Sequence, residues 1–237
     1  MATLYYKFLT KAPLIKKIRE LEWEELSIFT ITDGMSVSGK IKVTRLAGTT
    51  ATLTYPVTTI GNRLTLLVSR PVGETFTALK KMEAWLETGG SRITEIRTFL
   101  CDQTAYLSPI RMGWLNSLGG IDYYTFTGQR NAEVAVDRSN YMKDLTQEFT
   151  GQDRGLGVLR ADMNEEIEAI SNFEHPDTIA WLKTLLGSPE HWVIGNEVSA
   201  SLTPVVISTK QHVTEKAELF QMKIKFVYAN GFLTQNG

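Results

Sequence analysis

Apolar and polar residues alternate with a period of two along much of this chain. In ELFQMKIKFVYA, Phe220, Met222, Ile224, Phe226 and Tyr228 fall on one side and Gln221, Lys223 and Lys225 on the other, which predicts a strand with one buried face. GKIKVTRL sets Ile41 and Val43 against Lys40 and Lys42, and ATLTYPV sets Leu53, Tyr55 and Val57 against Thr52 and Thr54. Gly48-Thr49-Thr50 between them predicts a hairpin loop. RLTLLVS and RITEIRTFL add strands, the latter rich in β-branched residues. The pattern predicts a mainly β (α+β) fold, an antiparallel β-sandwich or barrel-like core.

Three segments carry helical spacing instead. PLIKKIRELEWEEL places Leu14, Ile18, Leu21 and Leu26 on one side behind Pro13. ETFTALKKMEAWLETGG places Phe76, Leu79, Met82 and Leu86 together and stops at Gly89, read as a left-handed C-cap. HPDTIAWLKTLLGSP lines up Ile179, Leu182 and Leu186, with Asp177 as N-cap and Gly187 and Pro189 as the stop. Residues 129–162 have weak periodicity and several glycines, so they predict a long loop, the kind of segment that serves binding or assembly. With no internal repeat or linker, residues 1–237 read as a single β-rich domain.

Composition narrows the function classes. The 237 residues suffice for a substantial core, and 25 Lys plus Arg against 26 Asp plus Glu leave no basic excess for a nucleic-acid backbone. Sequence-specific nucleic-acid binding is therefore not expected. Cys101 is the single cysteine, so no intramolecular disulfide forms, and synthesis in a reducing cytoplasm is the expectation. No apolar run reaches the ~18 residues of a membrane span.

Chemical motifs are sparse. Gly155-Leu156-Gly157 lacks the third glycine or the Gly-Lys-Ser/Thr of a phosphate loop. His175, His191 and His212 stand apart from one another and from any paired cysteines, which gives no metal centre. Cys101 ends an apolar strand and reads as a buried hydrophobe. Glu165, Glu166 and Glu168 read as one solvated face, and no Gly-x-Ser-x-Gly elbow is present. No catalytic, cofactor-binding or metal-ligating residue is assigned, and an enzyme is not expected.

The stretch GWLNSLGGIDYYTF reads as two aromatic-rich strands around an Asn116 to Gly120 turn whose glycines permit positive φ. Its wider context, YLSPIRMGWLNSLGGIDYYTF, resembles a W-[LI]-N-S-L-G-G-[FWI]-D-x-[YF]-x-F signature of structural proteins of tailed bacteriophages, crAss-like phages included. The run TIAWLKTLLGSPEHWVI, followed by TPVVISTKQHVTEKAELFQMKIKFVYAN, is similar to the C-terminal part of those proteins. The likeness covers roughly half the chain; the N-terminal half matches only weakly.

The resemblance implies a virion component of the tail, baseplate or head-to-tail ring, made in the host bacterial cytoplasm and acting through symmetric oligomerisation. Its partners would be identical subunits in a ring or tube and neighbouring virion proteins. Trp114, Asn116, Gly119, Gly120, Asp122 and Phe126 match the signature and would hold the hairpin and contribute to packing. A long loop and strand edges suit such a subunit, and Tyr5, Tyr6 and Phe8 near the start are further interface candidates. The alternative is a carbohydrate-binding β-sandwich module of host-receptor recognition, for which the tryptophans would supply sugar platforms.

Overall fold

A computed structural model of the chain describes residues 5–30, 35–142, 156–195, 201–208, 212–216, 218–229 and 235–236. The first half forms β1 (Ile15–Ile18), β2 (Trp23–Phe29), β3 (Ser38–Arg45), β4 (Thr50–Tyr55), β5 (Thr58–Ile60), β6 (Arg63–Ser69), β7 (Leu79–Thr88), β8 (Ser91–Arg92) and β9 (Arg97–Cys101). The second half forms β10 (Ile110–Leu115), β11 (Ile121–Phe126), β12 (Arg130–Met142), β13 (Leu156–Ile170), α1 (Pro176–Leu186), β14 (His191–Ile194), β15 (Leu202–Ile207), β16 (His212–Lys216), β17 (Leu219–Tyr228) and β18 (Gln235–Asn236).

Buried side chains gather in two clusters. In the first, a sheet in the order β1-β9-β7-β3-β4, with β8 on β7, packs its inner face against the sheet β2-β6-β5. Ile41, Val43, Met82, Ala84, Leu86 and Phe99 meet Leu26, Ile28, Leu64, Leu66 and Val68 there. Gly39 of β3 is needed for that closeness, since a Cβ on it would lie 2.3 Å from a Leu66 methyl. The second cluster lies on one face of the sheet β11-β10-β14-β15-β17-β13-β12, with β16 beside β17 and β18 beside β13. Helix α1 covers part of that face through Ile179, Trp181, Leu182 and Leu185, which pack on Trp114, Met222 and Ile224 among others. Each fully buried large apolar side chain contributes roughly 1.5–3 kcal/mol relative to exposure. Among the described residues no sheet closes on itself as a barrel, and β1 joins β9 in parallel.

Among the described residues there is one α-helix, where three were predicted. PLIKKIRELEWEEL is β1, a turn and β2. Leu14 and Leu21 of its supposed stripe are exposed, and Leu21 turns the chain at φ 68°. ETFTALKKMEAWLETGG is a short 3-10 turn (Phe76–Ala78) running into β7. There the ladder shifts so that Thr44 opposes Lys81 but Arg45 opposes Leu79. The extra residue, Lys80, puts Leu79 and Met82 on one side, and a β-bulge has thus imitated a helical i, i+3 step. Gly89 (φ 54°) and Gly90 (φ 79°) form the two-residue loop joining β7 to β8, where both positions need positive φ. Helix α1 forms as predicted, but its N-cap is His175, whose Nδ1 accepts from the Asp177 amide at 3.3 Å; Asp177 sits in the first turn.

The segment read as a long loop is a paired ribbon. β12 and β13 run antiparallel from Arg130↔Ala169 to Met142↔Leu156, and residues 143–155 lie outside the described ones.

Candidate assembly surface

The β10–β11 hairpin is fixed from every side. The Asn116 side-chain carbonyl accepts from the amides of Leu118 (2.9 Å) and Gly120 (3.2 Å), an Asx turn that shapes the loop. Gly119 has φ 82°, and a Cβ on Gly120 would stand 1.9 Å from the Leu9 carbonyl oxygen. That carbonyl accepts from the Asn116 amide group at 2.9 Å. One Asp122 oxygen takes donors from Thr10 and Asn116, the other from Trp181 Nε1 at 2.8 Å. Trp114 is buried against Trp181, ring centroids 5.1 Å apart, and donates to Thr184 at 3.3 Å; Phe126 is buried in the same core. The six signature residues thus join the hairpin to the N-terminal segment and to α1. Within that segment Tyr6 and Phe8 lie in the first core, so of the three aromatic residues expected at an interface only Tyr5 is exposed.

Behind the hairpin, a charged cluster couples the two halves. Arg111 on β10 lies 3.2 Å from Glu22 and 3.1 Å from Glu24, and it also donates to the Trp23 carbonyl. Lys16 pairs with Glu24 at 2.7 Å and donates to the Tyr123 carbonyl at 2.6 Å, on the outer edge of β11. All four side chains are about nine-tenths buried. Burial pulls the Lys16 ammonium below its ordinary value, which the neighbouring Glu24 carboxylate opposes. Sequence reading missed this cluster. The available signal was that Glu22 and Glu24 share the inward parity of Leu26 and Ile28, a placement that demands a cationic partner.

The ribbon contrasts with both. Among the described residues, only Glu166–Ile170 of β13 pairs with β17, only Arg160 and Ala161 pair with β18, and β12 has a ladder on one side only, leaving a 13-residue edge with no proline or glycine. The register gives the ribbon two unlike faces. Its front continues the core side of the sheet, outward from Ala132 and Ile167, through Val134, Val136 and Met163 toward Val158, Met142 and Leu156, with Glu165 opposite Val134 and Arg138 beyond Val136. Val134 is 54% exposed, Val136 44% and Met163 41%. The back carries Glu133, Asp137, Asp162, Glu166 and Glu168 against Arg160 and Lys225. Lys225 reaches Glu166 at 3.0 Å; the Ser208 hydroxyl and then Lys225 hold the Glu166 carboxyl below the usual carboxylate value. Gly157 belongs to this ribbon, where a Cβ would meet the Tyr141 ring at 2.5 Å; Gly155 lies outside the described residues.

On the same back face, inward of the ribbon, lies a second apolar patch. Leu202, Pro204 and Val206 of β15 are exposed, flanked by half-buried Trp192 and Val227.

A cleft of about 170 Å³ opens beside the charged cluster, between Lys17, Arg19, Asp102, Tyr106, Asn172 and Glu174. Its polar groups largely bind each other: Tyr106 donates to Asp102 at 3.1 Å and Tyr124 to Glu174 at 3.1 Å. Burial first, and then the Glu174 charge, push the Tyr124 hydroxyl well above its ordinary value. Burial also pushes the Cys101 thiol up to about 11, so it holds its proton at neutral pH. His191 is buried with Nε2 2.6 Å from the Leu185 carbonyl. Among the described residues no group of three or more His, Cys, Asp or Glu is placed to hold a metal ion, and no helix is long and apolar enough to cross a membrane.

Comparison with known proteins gives no relative to lean on. No family model matches the chain, and no curated protein does. Among solved structures the chain is similar to a marsupial T cell receptor at 8% identity and a TM-score of 0.29, with 98% of this chain and 87% of that one covered. A likeness that weak carries no argument.

Proposed function

We propose that this chain is a bacteriophage virion structural protein, a tail, baseplate or head-to-tail connector subunit that works by symmetric self-assembly and not by catalysis. Its partners are identical copies in a ring or tube and neighbouring virion proteins, and its place is the virion. In this reading the first core is a β-sandwich that braces the larger sheet. The observation that carries the proposal is the ribbon: a two-stranded projection with an apolar face open to water is at best marginally stable alone, and acquires its burial from another chain. The carbohydrate-binding alternative rests on tryptophan platforms, and none of the five is exposed: Trp114 and Trp181 are buried, and Trp23, Trp85 and Trp192 are half-buried, which favours self-assembly. Light scattering and negative-stain microscopy of the purified full chain test it. Rings or short tubes are expected; a monomer at every concentration, together with glycan binding, would replace this reading with the carbohydrate-binding one.

A further inference from the structure

Resting on that self-assembly reading, we infer that the contact between copies is heterologous: the apolar front of one ribbon seats on the Leu202, Pro204 and Val206 patch on the back of the next copy's sheet. The two surfaces lie on opposite faces of one sheet. Val206 pairs with Val227 on the back, whereas the next pair, Ile207 and Phe226, faces the core side that runs out into Val134 and Val136. One ribbon-on-patch contact therefore covers both in every copy and repeats. A two-fold contact of ribbon on ribbon covers only one of them and leaves the patch wet. Charge disfavours one alternative. The back carries Glu133, Asp137, Asp162, Glu166 and Glu168 against Arg160 and Lys225, so back on back brings like charges together, whereas the front, with Arg138 and Glu165, is balanced. Two sheets stacked in this way lie ~10 Å apart, the ordinary face-to-face spacing.

Complementation distinguishes these arrangements. A ribbon variant, Val134→Glu with Val136→Glu, and a patch variant, Leu202→Glu with Val206→Glu, each keep one intact surface. At concentrations where the wild type assembles, each variant alone is expected to stay monomeric. An equimolar mixture is expected to give a one-to-one heterodimer of twice the 26.6 kDa chain mass and to grow no further. A mixture that stays monomeric, or either variant assembling like the wild type, overturns the heterologous contact while leaving self-assembly standing. A wild type that never assembles overturns the reading beneath it. A second measurement is independent of the glutamate variants folding: in a Cys101→Ser background, Val136→Cys combined with Val206→Cys is expected to give a ladder of disulfide-linked oligomers. Linked dimers from Val136→Cys alone would instead establish ribbon-on-ribbon packing and sink the proposal.

Discussion

Two hairpins of one sheet obey the same local rules and meet opposite fates. β10–β11 has six-residue strands, and its loop and inner side chains are held by Leu9, Thr10 and α1. β12–β13 has strands of 13 and 15 residues, with apolar side chains at the same alternation and, among the described residues, nothing over most of them. Both alternate apolar and polar residues; beyond length, tertiary cover separates them. A hairpin whose partners all lie in its own chain is a folding element; one left uncovered is, in the reading proposed above, an interface.

Substitutions can break that contrast at graded cost. The largest loss is expected at Arg111→Met, which leaves Glu22 and Glu24 buried without their shared cation: about 3–5 kcal/mol, read by urea denaturation. Next is Gly120→Ala, whose methyl group has to displace the Leu9 backbone; roughly 1–3 kcal/mol is expected in the same assay. Val136→Lys on the ribbon should change the stability of the isolated chain by no more than ~0.5 kcal/mol yet prevent assembly, seen as loss of high-mass species in light scattering. If Val136→Lys instead unfolds the monomer, the ribbon is a folding element and the contrast collapses.

The smallest effect concerns pH at the ribbon base. Glu166 has its folded value lowered, so its ties to Ser208 and Lys225 stabilise the fold above the unfolded value near 4.5 and are lost as pH falls through the folded one. The carboxyl is largely solvated, so the effect is small. Glu166→Gln should be slightly less stable than wild type at neutral pH and equal to it once both are in acid; a difference that persists in acid would remove the ion pair as its cause.

Much of the fold was legible in the sequence. Strict alternation marked β3, β4, β6 and β17, and Gly187 marked the end of α1, while its N-cap was read two residues late, at Asp177 instead of His175. The misread helices show where periodicity misleads: a bulge at Lys80 gave a three-residue step, and exposed Leu14 and Leu21 completed an i, i+4, i+7 pattern by chance. The signature hairpin was visible as a turn, but the contacts of Asn116 and Asp122 with residues more than a hundred positions away were not, because register between distant strands has no local signal. The ribbon's alternation, from Ala132 through Val134 and Val136, was present in the sequence. Its glycines and charges gave it the look of a loop.

The two outer margins of the larger sheet differ. At β11 the Lys16 ammonium caps the Tyr123 carbonyl and the first core abuts the strand, whereas the outward amides and carbonyls of β12 have no strand beside them among the described residues. Such a sheet has a blunt end and a sticky end. If the chain assembles as proposed, a copy made faster than its partners recruit it exposes a template for unprogrammed β-growth, and the timing of its synthesis relative to theirs becomes a condition of its solubility.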